Sequence, residues 1–249
     1  MSRLTDSHFP LTGKTALVIG GSRGIGRAIV ERFAADHAAV AFSYVDRNQA
    51  AVELAATVAS RGGKAIPLRA DLARTEQIRA LFDDAEKALG GLDIVVVNAA
   101  IAIIKPMVEL TEADFDRVFA VNAKGSFIAL QEAARRVRDG GRIMVTSTGG
   151  TQMLMTQTSL YLGSKGAVEQ FVRVLAREMG PRGVTVNAVS PGYTDTELLP
   201  ERDRAVAAAA SPFNRVGQPE DVAEAFAFLA ADSGRWVTGQ NIAAGGGVF

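Results

Sequence analysis

A regular alternation of short apolar runs with amphipathic segments is the feature that most restricts how this sequence can fold. Residues 16–19 read Ala-Leu-Val-Ile and precede a stretch in which Ile25, Ala28, Ile29 and Phe33 recur at helical spacing. Further strands are predicted at residues 39–44, 65–68, 94–97, 143–145 and 184–186. Further helices are predicted at residues 50–61, 111–138 and 159–179, and one more begins with Thr75 as its N-cap. Strands and helices therefore alternate along most of the chain.

Several apolar runs, such as Ile-Val-Val-Val at residues 94–97, show no polar alternation. Strands of this kind are buried on both faces, which requires helices above and below the sheet. We predict an α/β fold: a single doubly wound parallel sheet of Rossmann-like type, with residues 1–249 as one domain. An irregular insert is expected at residues 194–213, with an Ala-rich core at 205–210. Sheets of this type bind ligands beyond the carboxyl ends of their strands.

Charge and cysteine content argue against several classes of function. Lys plus Arg and Asp plus Glu number 27 each, so no net positive field attracts nucleic acid or an anionic membrane. The lack of cysteine excludes disulfides and thiolate chemistry, and the isolated histidines His8 and His37 form no metal pair. The first ten residues contain no apolar run, and no apolar stretch is long enough to span a membrane. We expect a cytoplasmic, metal-free protein that acts on a small molecule.

Residues 20–26 read Gly-Gly-Ser-Arg-Gly-Ile-Gly and lie between the first predicted strand and helix. Gly20, Gly24 and Gly26 permit a tight turn, close approach of the backbone to a pyrophosphate, and close helix–strand packing. Free N–H groups at the start of the helix attract the anion. The segment therefore predicts a dinucleotide site, and a glycine-rich turn without a ligand is the alternative.

The spacing Gly-x-x-x-Gly-x-Gly resembles that of the short-chain dehydrogenase/reductase family, and the likeness covers nearly the whole chain. The other matching motifs, in chain order, are Asp71, Asn98-Ala99-Ala100, Asn122, Tyr161-x-x-x-Lys165 and Pro191-Gly192-Tyr193-Thr194-Asp195-Thr196. The resemblance implies an oxidoreductase that moves a hydride between a nicotinamide and a carbonyl or alcohol carbon. It extends diffusely to 3-oxoacyl-carrier-protein reductases and to naphthol or polyketide reductases.

The resemblance also implies which residues hold the coenzyme. Asp71 is expected at the adenine, Asn98 beneath the fourth strand, and Thr194 beside the nicotinamide. The full predicted set is Gly20, Ser22, Arg23, Gly24, Ile25, Gly26, Ser43, Tyr44, Asp71, Leu72, Asn98, Ala99, Ala100, Tyr161, Lys165, Pro191, Gly192, Thr194 and Thr196. Taken singly, Asp71 is equally typical of a helix cap and Asn98 of a turn.

Three positions depart from the family pattern. Ile19 replaces a threonine, so a hydroxyl that anchors the glycine-rich loop is absent there. Ala100 replaces a glycine and adds a methyl group near the coenzyme. Gly245 stands where the family has an acidic or amide residue, which bears on the packing of the C-terminal tail more than on chemistry. We expect coenzyme binding to survive all three.

The end of the second strand decides between the two nicotinamide coenzymes. An acidic residue there binds the ribose 2′-hydroxyl of NAD and repels the phosphate of NADP. Here the strand ends in Ser43-Tyr44, and Asp46 follows two residues later. Arg23 lies in the glycine-rich turn, where the resemblance implies a partner for a 2′-phosphate, and a solvated loop residue is the alternative. Arg47 adds a second positive charge. The sequence favours NADP(H), with NAD(H) as the weaker alternative.

Tyr161 and Lys165 are four residues apart and therefore share one face of a helix. A nearby ammonium and the positive nicotinamide would lower the pKa of the phenol, so that Tyr161 serves as the acid–base. The resemblance implies that Lys165 also holds the ribose and relays the proton, and that Asn122 holds a water linking Lys165 to solvent. An ordinary helix face is the alternative for an isolated Tyr-x-x-x-Lys pair.

The family also has a serine, thirteen residues before the tyrosine, that bonds the substrate oxygen. Counting back from Tyr161 reaches Thr148, with Ser147 beside it. Side chains alternate along a strand end, so only one of these hydroxyls faces the site. We assign Thr148, and Ser147 is the alternative.

The substrate is expected to be a bulky, apolar ketone or acyl chain. Residues 149–160 and 193–213 should line its pocket, and their large apolar side chains are Met153, Leu154, Met155, Leu198, Leu199 and Phe213. Two other functions remain open: an NAD-preferring alcohol dehydrogenase, and a non-catalytic NADP-binding regulator of the same fold.

A homotetramer is also expected, because two predicted helices are apolar on more than one face. Their apolar residues are Val118, Phe119, Phe127 and Ile128 in one helix and Val168, Phe171, Val172 and Leu175 in the other. The resemblance implies that these helices pair with their copies, and packing within one chain is the alternative.

Overall fold

A computed structural model describes residues 10–249 of the chain. Seven parallel strands form one sheet in the order β3-β2-β1-β4-β5-β6-β7. Their bounds are β1 Thr15–Ile19, β2 Ala39–Tyr44, β3 Lys64–Arg69, β4 Leu92–Val97, β5 Val137–Thr146, β6 Thr185–Pro191 and β7 Asn241–Ala244. The order in which strands are added reverses between β1 and β4, and at this point a doubly wound sheet opens a crevice for a ligand.

Eight α-helices connect the strands. They are α1 Gly24–Ala35, α2 Asn48–Ser60, α3 Thr75–Leu89, α4 Glu112–Phe119, α5 Ser126–Arg136, α6 Ser159–Met179, α7 Arg204–Ala210 and α8 Pro219–Ala230 within the described residues. In that part of the chain, no helix is both long and apolar enough to cross a membrane. His8, one of the two histidines, lies outside the described residues.

Both faces of the sheet are buried, as the unalternated apolar runs predicted. On β1, Ala16 and Val18 pack into a cluster with α1, α2 and α8. Leu17 points the other way, into a cluster formed with α3, α5 and α6. The doubly wound α/β fold is therefore confirmed, and the parallel register from β1 to β4 directs the strand ends to one edge.

The single helix predicted at residues 111–138 is wrong in two respects. Thr111 is the N-cap, in a capping box with Asp114, and a π-helical turn at Ala120–Gly125 separates α4 from α5. Gly125 permits this turn to approach the chain after β3, because a Cβ there would lie 2.5 Å from the Leu72 carbonyl oxygen. The helix then stops at Arg136, since Val137 begins β5.

Two further expectations about local structure need correction. Thr75 is the first residue of α3, and the N-cap is Arg74, whose side chain makes no capping bond. Asp71 holds this turn instead, by accepting a hydrogen bond from the Ala73 N–H at 2.9 Å. The insert at residues 194–213 is not irregular throughout, because its Ala-rich part forms α7 around the buried Ala207.

Candidate active site

The glycine-rich turn between β1 and α1 is anchored by Ser43 at the end of β2. The Gly20 N–H donates to Ser43 Oγ at 2.9 Å, and the Gly21 N–H donates to the Ser43 carbonyl at 2.9 Å. Ile19 is fully buried in the core and takes no part in this contact. Ser43 thus supplies, from the neighbouring strand, the anchoring hydroxyl that the isoleucine lacks.

Asn98 ties together the ends of three strands. Its Nδ2 donates to the Gly20 carbonyl at 2.8 Å, and its Oδ1 accepts from Thr146 Oγ1 at 2.9 Å. Gly26 must be a glycine here, because a Cβ would lie 2.6 Å from Asn98 Nδ2 and would also collide with the Gly20 carbonyl. The first turn of α1 therefore sits directly against the sheet edge, with its free N–H groups at the crevice.

A cavity of about 1780 Å³ runs along this edge of the sheet. It is lined by all of the predicted site residues except Gly26, which packs beneath the turn, and Asn122, which lies behind the wall. At the far end from Tyr161, the Tyr44 hydroxyl donates to Asn48 Oδ1 at 2.7 Å. Asp71 and Leu72 line the same wall. The sequence-predicted residues are thus brought together in one place.

The neighbouring hydroxyls of Ser147 and Thr148 have different partners in the structure. Ser147 Oγ donates to Glu169 Oε1 at 2.6 Å, on the side of the loop that faces α6. Both residues line the cavity, but it is Thr148 that interacts with the Tyr161 phenol, and its Oγ1 also accepts from the Gly150 N–H at 3.2 Å. Of the two, Thr148 is the hydroxyl placed beside Tyr161.

Lys165 is fully buried beneath Tyr161. Its Nζ donates to the Thr146 carbonyl at 2.7 Å and lies 6.0 Å from the centroid of the Tyr161 ring. Burial lowers the pKa of Lys165 to about 8, and the negative charge of Glu169 works in the opposite direction. Lys165 is therefore a cation at neutral pH whose charge depends on its neighbours.

The pKa of Tyr161 lies above its ordinary value, because burial raises it and the interaction with Thr148 lowers it only in part. The expected lowering is thus not a property of the protein groups alone. A positively charged nicotinamide beside the phenol would be needed to lower it.

Asn122 lies in the π-helical turn, a feature common at functional sites. Its Nδ2 donates to the Ile101 carbonyl at 2.8 Å and to Ser164 Oγ at 3.0 Å, and its Oδ1 accepts from the Ile101 N–H at 2.9 Å. These contacts join the loop after β4 to α6. The side chain of Asn122 therefore positions these neighbours, and the water that the resemblance implies beside it stays a prediction.

Comparison with known proteins assigns the family. Residues 19–249 match the family model described as enoyl-(acyl carrier protein) reductase. A short-chain dehydrogenase/reductase of Pestalotiopsis microspora is 40% identical over 255 residues, which cover 96% of each chain. The chain is a short-chain dehydrogenase/reductase.

Two other similar proteins carry more specific names. Versicolorin reductase stcU of Emericella nidulans is 38% identical to this short-chain dehydrogenase/reductase, over 98% of this chain and 99% of its own. The crystal structure of the angucycline C-6 ketoreductase LanV with bound NADP superimposes with a TM-score of 0.92. It is 40% identical, and the match covers 96% of each chain.

In this short-chain dehydrogenase/reductase, Arg23 and Arg47 meet at the end of the cavity remote from Tyr161. Both contact Glu197, which follows β6: Arg47 Nη1 and Nη2 donate to its two carboxylate oxygens at 2.6 and 2.7 Å, and Arg23 Nη1 pairs with Oε2. Sequence reasoning placed both arginines here but missed Glu197. No spacing in the sequence relates it to either of them.

The expected substrate end of the cavity is largely apolar. Met153, Met155, Leu198 and Leu199 line it, as the sequence predicted. Leu154 and Phe213 were also predicted to line it, but both side chains are exposed and lie outside this cavity.

The C-terminal residue, Phe249, is a second feature that the sequence did not reveal. Its ring packs on Gly149 and Gly245, where added Cβ atoms would collide with it. Gly245, a departure from the family pattern, is therefore the residue that lets the tail pack against the loop carrying Thr148.

Proposed function

We propose that this short-chain dehydrogenase/reductase uses NADPH to reduce the carbonyl group of a bulky, apolar ketone. The observation that carries the proposal is the meeting of the Thr148 and Tyr161 hydroxyls above the buried Lys165, at one end of a cavity that has two arginines at its other end. A hydrogen-bond donor and a proton donor on one side of a pocket suit a carbonyl oxygen.

The residues present fit a dinucleotide. The cavity is larger than the 300–1,000 Å³ or so typical of small-ligand pockets, so it has room for a coenzyme and a substrate together. The amino terminus of α1 opens onto it beside Gly24, where the partial positive charge of a helix end stabilises a pyrophosphate. Lys165 and Tyr161 would hold the nicotinamide ribose.

When bound, NADPH would supply the hydride, and with it both electrons, to the carbonyl carbon. As the C=O π bond breaks, Tyr161 donates its phenolic proton to the oxygen, so that the alcohol forms without a free alkoxide. Thr148 donates a hydrogen bond to the same oxygen and stabilises its developing charge. Lys165, a cation beneath the phenol, favours the tyrosinate that remains until a proton from solvent restores the phenol.

NADP(H) is proposed as the coenzyme because Arg23 and Arg47 offer guanidinium groups at the remote end of the cavity, where NAD-binding chains present an acid. LanV, at 40% identity, was crystallised with bound NADP. Asp46 is the acid nearest in sequence, and it lies beyond the end of β2. We expect kcat/KM to favour NADPH over NADH by at least about tenfold, or about 1.4 kcal/mol.

The substrate class is proposed from the apolar cavity wall and from two similar proteins, whose names refer to versicolorin and angucycline. The family model instead bears the name of an enoyl reductase, which acts on a carbon–carbon double bond. The hydroxyl pair of Thr148 and Tyr161 favours the carbonyl, because both groups direct protons toward an oxygen.

The test is a panel of aromatic and aliphatic ketones, with NADPH oxidation as the readout and an enoyl thioester as the comparison substrate. The expected result is turnover of bulky ketones that is lost in Tyr161→Phe. Turnover of the enoyl thioester alone would contradict ketone reduction, and tight NADPH binding without turnover of any carbonyl would favour the regulator. Alcohol oxidation with a higher kcat/KM for NAD+ than for NADP+ would favour the alcohol dehydrogenase.

A further inference from the structure

Glu197 joins parts of the chain that lie far apart along the sheet. It follows β6, whereas Arg23 follows β1 and Arg47 follows β2, and β4 and β5 lie between β1 and β6. The Glu197 carboxylate nevertheless bridges both arginines, and all three side chains are about half exposed. The segment after β6 therefore reaches across the crevice to the remote end of the cavity.

The contacts of Glu197 use the donors that a phosphate would need. Arg47 presents both terminal nitrogens of its guanidinium to the two carboxylate oxygens, a bidentate arrangement that suits carboxylate and phosphate alike. Arg23 adds a third donor. Although desolvation works against it, the hydrogen bond from Arg47 and the charge of Arg23 keep the pKa of Glu197 below its usual value. Glu197 is thus an anion at neutral pH.

A carboxylate and a phosphate cannot share these donors, because both are anions and each would take the same N–H groups. Any 2′-phosphate bound between Arg23 and Arg47 must therefore displace Glu197. A ribose without a 2′-phosphate does not require Glu197 to be displaced.

Displacement of Glu197 would also affect the substrate end of the cavity. Thr196 packs against the glycine-rich turn, with its methyl carbon 3.2 Å from where a Gly24 Cβ would be. Leu198 and Leu199, which directly follow Glu197, line the cavity. Upstream, the segment is fixed by the buried Thr194, which bridges to Gly217. Asp195 is fixed as well, because its N–H donates to the Gly217 carbonyl at 2.8 Å and its carboxylate pairs with Arg204. The stretch from Thr196 to Pro200 is thus the part that can move when the Glu197 ion pairs break.

We propose that Glu197 is an internal competitor for the 2′-phosphate of the coenzyme. It holds Arg23 and Arg47 together until NADP(H) binds, and its release frees the segment at 196–200 that carries Leu198 and Leu199. NAD(H), which has no 2′-phosphate, leaves the ion pairs in place. This inference rests on the proposed preference for NADP(H), and it makes Glu197 a residue that sets coenzyme specificity.

The first test measures ligand binding by calorimetry, with adenosine 2′,5′-bisphosphate and 5′-AMP as probes. In Glu197→Gln we expect the Kd of the bisphosphate to fall about fivefold, the scale of an exposed ion pair, with the Kd of 5′-AMP unchanged. Asp46→Asn removes a charge from the same cavity wall without touching either arginine in the structure, and Glu201→Gln alters a neighbouring ion pair with Arg204. Both controls should leave the Kd of each probe unchanged.

A weaker affinity for the bisphosphate in Glu197→Gln would overturn the proposal, because it would mean that the carboxylate orients the arginines for the phosphate. An equal gain in Asp46→Asn would also overturn it, since only a through-space charge effect would then remain. The proposed coenzyme preference is tested separately: it fails if wild-type protein binds NADP no more tightly than NAD, or if Arg23→Ala leaves NADP binding unchanged.

The second test follows amide hydrogen exchange in the segment at 196–200. Exchange there should become faster when the bisphosphate binds wild-type protein, and it should not change with 5′-AMP. In Glu197→Gln, exchange should already be fast without a ligand. Slower exchange in the presence of the bisphosphate, or equal exchange in the variant and in wild type, would contradict the displacement of Glu197.

Discussion

The Ser147 hydroxyl donates a hydrogen bond to Glu169 at 2.6 Å, and this contact fixes the direction of the neighbouring side chain. Thr151 Oγ1 donates to the same carboxylate oxygen at 2.8 Å, so the loop after β5 is held to α6 at two points. Because adjacent side chains alternate, Thr148 is turned toward Tyr161. A single carboxylate on α6 thus orients the loop that carries the proposed oxyanion donor.

Exchange of the two hydroxyl residues tests this orientation. Thr148→Ala should lower kcat by about a hundredfold, the effect of deleting one preorganised donor to an oxyanion, whereas Thr148→Ser should keep most of the activity. Ser147→Ala should cost only about fivefold, because Thr151 still donates to Glu169 and keeps the loop in place. Steady-state kinetics on protein with intact NADPH binding decides between them, and a larger loss in Ser147→Ala than in Thr148→Ala would reverse the assignment.

Glu169→Gln should move the pH profile of the reaction. The Glu169 charge raises the pKa of Lys165, which burial lowers to about 8, so neutralising it lowers that pKa further. Lys165 acts as a cation, and activity is therefore lost as the pH rises through its pKa. The basic limb of kcat/KM against pH should shift to lower pH in the variant.

Glu178→Gln is the matched control for this shift, because Glu178 is an exposed residue on the same helix, more than two turns beyond Glu169. Its profile should coincide with that of wild type. A basic limb that stays in place in Glu169→Gln would show that the charge of Lys165 does not limit the reaction.

Sequence patterns were sufficient for the central strands and for the cavity, for a physical reason. Buried parallel strands such as β4 are runs of Val and Ile, and the carboxyl ends of neighbouring strands must meet at one edge, which places Asn98 and Thr148 together. By contrast, β7 was not predicted, because a four-residue edge strand that begins with Asn carries no such run. Helix α8 was also not predicted, although Pro219 at its first position is a typical start signal.

Side-chain partners were harder to predict than positions. Glu169 lies four residues after Lys165, so helical spacing could have indicated that the two charges interact. Glu197 meets Arg23 and Arg47 only because the segment after β6 crosses the crevice, which no local pattern encodes. The pKa of Tyr161 likewise depends on burial, a property of the folded chain rather than of the Tyr-x-x-x-Lys spacing.

A homotetramer remains the predicted assembly, and the structure narrows the surface that would form it. Val118, Val168 and Val172 are buried within the chain, which accounts for part of the apolar pattern. Phe127 is 45% exposed and contacts Phe171 edge-on at 5.4 Å, so an aromatic pair is left at the surface of α5 and α6. Light scattering at micromolar concentration should give four times the chain mass of 26.2 kDa.

Phe127→Glu should lower that mass, because a charge buried in an apolar interface is costly. Glu53→Gln, at an exposed position on α2, is the control that should leave the assembly intact. A monomeric mass for wild-type protein would refute the prediction.

The contact between Phe249 and Gly149 links the C-terminus to the active-site loop. Phe249→Ala removes a partly buried ring and should lower the free energy of unfolding by about 1–3 kcal/mol, less than a fully buried phenylalanine. Gly149→Ala alone should be comparably destabilising, because its Cβ would collide with the ring, and it should also lower kcat by displacing Thr148. In the double variant the collision is gone, so Gly149→Ala should cost less stability when Phe249 is already alanine than it does alone.

Urea unfolding and kcat for the four proteins of this cycle measure the coupling. Gly166→Ala, at a helical glycine with open space around it, is the control for adding a methyl group. Strictly additive losses would show that Phe249 does not act on the loop through Gly149.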